Sequence, residues 1–114
     1  MDTEKLRAFC LGLKGTTEGI KWEDHLCFMV GGKMYCISGL TDESNVSIKA
    51  SEDDFETLQE RDGIIPAPYL ARNKWVAVTK RNALRPAEWQ QYLTQSYELV
   101  KAKLPKKLRE SIDS

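Results

Sequence analysis

The chain has 114 residues, the size of one ordinary domain, which excludes separate catalytic and regulatory domains. Hydrophobic residues make up 41% and charged residues 30%, the balance of a globular protein rather than of a disordered tail or a membrane span. Seventeen bases meet seventeen acids, so bulk charge gives no argument for a polyanionic partner.

The charge is unevenly distributed. Residues 41–62 hold eight acids and two bases, whereas residues 63–114 hold ten bases and four acids. Either the two signs face each other in the fold, or the second half presents a basic patch to phosphates. The start, Met1-Asp2-Thr3-Glu4-Lys5, lacks the basic and apolar stretches of a secretory signal, and the longest apolar run is only five residues, 26–30. The expectation is a cytoplasmic chain without a membrane segment. Cys10, Cys27 and Cys36 have no CxxC spacing, which suits free thiols in a reducing compartment better than disulfides or zinc.

Leu6, Phe9, Cys10 and Leu13 recur at helical spacing and predict a first helix ending near Lys14-Gly15. Residues 16–23 form a weak strand pattern, and residues 26–30 and 34–40 strong ones. Gly31-Gly32 between the strong pair fits a tight hairpin turn. A two-residue loop there pairs Met29 with Met34, Phe28 with Tyr35 and Cys27 with Cys36. A strand over 45–49 follows, and then Ser51 as N-cap of a helix running to about Arg61, its first turn filled by Glu52, Asp53 and Asp54. Phe55 and Leu58 face inward, and Gly63 closes that helix. Pro66-Ala67-Pro68 reads as irregular. A strand over 74–79 comes next, with Val76 and Val78 on the helix-covered face and Trp75 and Ala77 on the other. Pro86 opens a long helix whose apolar stripe, Trp89, Tyr92, Leu93, Tyr97, Val100 and Leu104, marks it as the main stability element. Pro105 ends it, and a short helix occupies 106–112. The order predicts a single α+β domain over 1–114, an antiparallel sheet with helices packed on one face.

Catalytic signatures are missing. GxxxxGK[ST], GxGxxG, HExxH and GxSxG are absent, and no serine or cysteine has a histidine partner other than the single His25. Glu23-Asp24-His25 has no second His or Cys at ligand spacing and reads as a hydrogen-bonded turn. Asp53, Asp54 and Glu56 spread around their helix rather than lining a calcium loop. The expectation is a non-enzyme with no catalytic residues, metal or cofactor.

Residues 68–85 are the most informative stretch, with five bases, no acid, Tyr69, Trp75 and two asparagines, a composition suited to holding phosphates and stacking on bases. The candidate nucleic-acid residues are Arg72, Asn73, Lys74, Trp75, Lys80, Arg81 and Arg85, joined by Lys103, Lys106 and Lys107. Since the next acid is Glu88, nothing local is expected to neutralise the segment, and about four phosphates would be engaged with a log–log salt slope of roughly −3 to −4. Trp75 either lies on the open sheet face for stacking or packs inward beside the basic side chains.

The segments Val30-Gly31-Gly32-Lys33-Met34-Tyr35, Ser47-Ile48-Lys49, Pro68-Tyr69-Leu70-Ala71-Arg72-Asn73-Lys74-Trp75-Val76-Ala77-Val78, Ser96-Tyr97-Glu98-Leu99-Val100 and Lys103-Leu104-Pro105-Lys106-Lys107 resemble, in order, the MmcQ/YjbR family of small bacterial proteins. The resemblance implies a CyaY-like (frataxin-like) sandwich with β-hairpin wings and a double-wing DNA-binding role. It carries over no histidine role, because residues 70–74 lack the histidine that many members have after the Pro-Tyr pair. It carries over no iron role, because the first helix has only Asp2 and Glu4 in place of the frataxin acidic ridge. The resulting expectation is a monomer that binds DNA weakly and without sequence preference. The alternative is a protein-protein interaction module with no catalytic activity.

Overall fold

The computed structural model describes residues 1–114. Helix α1 (Thr3–Leu11) leads into β1 (Thr16–Lys21), β2 (His25–Val30), β3 (Lys33–Gly39) and β4 (Val46–Lys49). Then come α2 (Glu52–Leu58), β5 (Ile64–Pro66), β6 (Trp75–Val78), α3 (Pro86–Lys101) and α4 (Lys106–Asp113). The six strands form one sheet in the order β1-β2-β3-β4-β6-β5, every neighbouring pair antiparallel. This is the α+β class expected.

The helix starts follow from local chemistry. Asp2 Oδ1 accepts from the Lys5 amide at 2.7 Å, and Ser51 Oγ accepts from the Asp54 amide at 3.2 Å with three acids in the dipole-favoured first turn. At α3, Pro86 takes the first position, where its missing N–H costs nothing, and Glu88 accepts from the Arg85 amide at 3.0 Å. Helix α2 stops at Leu58, short of the expected Arg61, and the chain turns back through Gly63 at φ +93°.

One face of the sheet carries the helices. Phe28, Val30, Val46, Ile48, Val76 and Val78 pack there against Leu6, Leu58, Trp89, Leu93 and Tyr97. On the other face the segment after β5 folds over Trp75 and Ala77, which cluster with Ala67, Met34, Ile37 and Leu70. The alternation expected for β6 therefore holds, while Trp75 is only 7% exposed, covered by its own loop.

The expected hairpin register holds for two pairs and then fails. Val30 faces Lys33 and Met29 faces Met34, but a bulge follows, so Phe28 faces Cys36 and Cys27 faces Ile37. Tyr35 is the extra residue. With Cys36 it turns into the helix-side core, where its hydroxyl meets Thr16 Oγ1 at 2.9 Å and the Cys10 carbonyl at 3.3 Å. A one-residue slip exchanges faces. Cys36 thus packs among the helices, Cys27 falls on the opposite side, and the two are not cross-strand partners. All three thiols are free and buried.

Two further differences concern edges. Residues 64–66, which the sequence reading left without a strand and of which Pro66 was expected as irregular, form edge strand β5, and an edge tolerates Pro66 because its missing N–H need not pair. The weak pattern over 16–23 is the opposite edge, β1, where exposed positions dilute the apolar signal.

Candidate phosphate-binding groove

The bulge shapes the site. Continued one step further, the β3–β4 ladder would pair Tyr35 with Lys49, but Ser96 of α3, fully buried, lies between them. Its hydroxyl donates to the Tyr35 carbonyl at 2.6 Å and accepts from the Lys49 amide at 2.9 Å. The serine substitutes for a ladder bond and parts the two strands, leaving both buried backbone groups satisfied.

At this opening, between the end of α3 and the residues that cover Trp75, lies a groove of about 440 Å³. Met34, Ile37, Leu70, Trp75, Val100 and Leu104 supply its apolar surface, and Lys33, Lys49, Lys103 and Asn73 its polar atoms. No carboxylate lines it, and none of the three lysines is in an ion pair. Lys49 Nζ donates to the Asn73 carbonyl at 2.9 Å. Burial and then the charge of Lys103 push the Lys49 pKa below its ordinary value. An anion placed among these groups would relieve that repulsion.

The residues expected from the sequence fall into four sets. Asn73, Trp75 and Lys103 line the groove, Arg72 and Lys107 are exposed near its rim, and Lys106 lies 4.0 Å from Glu110 in a separate cleft that Glu98 and Asp113 also line. Lys74 turns away, its ammonium 5.1 Å from the centre of the Phe55 ring on α2.

Lys80 and Arg81 are occupied elsewhere and Arg85 has an acid nearby, which corrects the expectation that nothing neutralises the segment. Lys80 pairs with Asp62 at 2.5 Å, and Arg85 approaches Glu88 at 3.6 Å. Arg81 donates to the carbonyls of Ser44, Met1 and Thr41 at 3.0, 3.1 and 3.0 Å and to Thr3 Oγ1 at 3.2 Å. It ties the N-terminus to the β3–β4 loop. Arg81→Gln should therefore cost about 2 to 3 kcal/mol in a urea melt, since it strands several carbonyls, and should leave the groove intact.

Glu88 is also bound by Arg61, at 2.9 and 2.6 Å, and this hydrogen-bonded pair holds its carboxyl down to about 2. Because the folded-state pKa is depressed, its contribution to stability is complete above the unfolded value and is lost as pH falls toward 2. In acid titrations followed by circular dichroism, Glu88→Gln should lose less stability than the parent below pH ~4.5.

Lys33 and Lys49 were missed by the sequence reading because neither lies in the basic run. No three His, Cys, Asp or Glu side chains converge anywhere in the fold. His25 Nδ1 sits 2.6 Å from Asp24 Oδ1 in the β1–β2 turn.

A family model described as YjbR matches residues 11–99, most of the chain. The chain belongs to the YjbR family. The solved structure of Deinococcus radiodurans protein DR2400, a DUF419 domain, is 26% identical, with a TM-score of 0.88 over 98% of this chain and 88% of that one. A Pseudomonas syringae protein at 20% identity shares the fold with a TM-score of 0.70 over 87% of this YjbR chain and 98% of its own. No curated protein matches in sequence. No helix of this YjbR domain is long and apolar enough to cross a membrane.

Proposed function

We propose that this YjbR-family chain binds nucleic acid weakly and without sequence preference, through phosphate contacts at the lysine groove. Lys33, Lys49 and Lys103 take the phosphates, and Arg72 and Lys107 extend the track along the rim. The observation that carries this reading is the convergence of three lysines with no carboxylate, in a molecule whose charges otherwise balance. Unpaired cations gathered at one place attract a polyanion regardless of net charge. The contacts available are to the backbone, which positions a nucleic acid but carries no base information. Affinity in the range of about 10⁻⁴ to 10⁻⁶ M follows for such contacts.

Fluorescence anisotropy with a labelled oligothymidylate and a labelled duplex at low salt tests the proposal. The double variant Lys33→Gln/Lys103→Gln changes two exposed groove lysines and should weaken binding at least about tenfold. The control Lys80→Gln/Arg85→Gln, outside the groove, should change it less than about twofold. Equal losses in the two variants would move the contact back to the basic segment. Absence of binding to either probe would remove the nucleic-acid reading and favour a protein partner.

A further inference from the structure

A second groove adjoins the first on the same sheet face. Met34, Ile37 and Leu70 border both, so they form the shared wall. The second groove, about 510 Å³, is lined by no Lys, Arg, Asp or Glu: Trp22, Tyr69, Pro68 and Ala77 give it apolar surface, and Asn45, Ser47 and His25 hydrogen-bonding groups. Glu23 and Asp24 lie in the neighbouring turn but line neither groove.

Its two aromatic residues are held out of the core. Trp22 is 63% exposed and Tyr69 fully exposed, in a chain whose other tryptophans, Trp75 and Trp89, are buried. Both sit at positive φ, 53° and 67°, a region that bulky side chains rarely adopt and where Asn or Gly would be easier. Exposed rings on unfavourable backbone contribute little to folding, and they stand beside a groove that gathers cations.

We infer that the strand bound is single, with its bases entering the Trp22–Tyr69 groove while its phosphates follow the lysines. This rests on the phosphate reading of the first groove and adds the ligand class. Alternating cationic and aromatic surfaces match the two faces of an unpaired strand, phosphate outside and base π-surface within reach. In a duplex those π-faces are stacked on one another and closed to Trp22 and Tyr69. Asn45, Ser47 and His25 offer hydrogen bonds to base edges.

Three probes separate this inference from the reading beneath it: an oligothymidylate, an abasic oligomer of the same length, and a duplex. Oligothymidylate should quench the emission of exposed Trp22 and bind about tenfold or more tightly than the abasic strand. Trp22→Asn and Tyr69→Asn suit the positive φ, so they should fold normally; each should weaken oligothymidylate binding about tenfold without changing its salt slope. The abasic strand should be indifferent to both variants. If abasic and oligothymidylate strands bind alike, or the duplex binds as tightly as the single strand, base stacking is refuted while the lysine groove stands. If no probe binds, both ideas fail together.

Discussion

Replacing Trp89 with Ala should destabilise the protein by about 3 to 5 kcal/mol, the largest loss expected from a single side chain. Trp89 is fully buried at the start of α3, and Nε1 donates to the Arg81 carbonyl at 2.9 Å. Truncation therefore removes a large apolar volume and leaves a carbonyl without its donor. Since that carbonyl belongs to the residue tying down the N-terminus, loosening should spread to the loop at 41–44. Trp89→Phe keeps most of the volume and loses the hydrogen bond, so about 1 to 2 kcal/mol is expected. Urea melts of both variants measure the difference. A cost below about 1 kcal/mol for Trp89→Ala would mean that α3 does not anchor the core as described.

Changing Lys33, Lys49 and Lys103 together to Gln should produce the largest functional effect. Three phosphate contacts on a single strand give a log–log salt slope near −2, hence a roughly 20-fold loss of affinity between ~50 and ~200 mM salt. This is shallower than the slope expected from the basic run on a duplex, because each phosphate of a single strand counts for less and because Lys80 and Arg81 already have partners within the fold. In the triple variant this contribution to the slope should disappear, leaving what the rim residues add, and low-salt binding should fall further than in the Lys33→Gln/Lys103→Gln double variant. Stability should not fall with it. The Lys49 pKa is depressed, so folding disfavours its charge, and at neutral pH removing that charge relieves a cost instead of adding one. Loss of binding at unchanged or increased stability would separate a binding role from a structural one.

Much of the fold could be read in advance because its signals are local. Ser51 and Pro86 start helices by short-range capping, and the Val76/Val78 alternation requires only strand geometry. The bulge at Tyr35 was not legible, since it depends on Ser96 of α3 reaching between residues 61 and 47 positions earlier in the chain. The edge strand β5 was hidden by prolines that an edge can tolerate.

The site failed to declare itself for a related reason. A run of like charge is visible in one dimension, but the acids that neutralise Lys80 and Arg85 and the lysines that remain unpaired are brought in by the fold. One signal was available. Lys33, Lys49 and Lys103 all lie within the short segments that carry the family resemblance, two of them outside any basic cluster. Of the two placements open for Trp75 the covered one holds, and the exposed rings are Trp22 and Tyr69.

Amide chemical-shift mapping of the isotope-labelled chain during titration with oligothymidylate tests the central claim most directly. The largest shifts should fall on Lys33, Met34, Lys49, Asn73 and Lys103, with little change at Lys80, Arg81 and Arg85. Shifts centred on residues 80–85, or spread evenly over the basic surface with the groove unaffected, would contradict it.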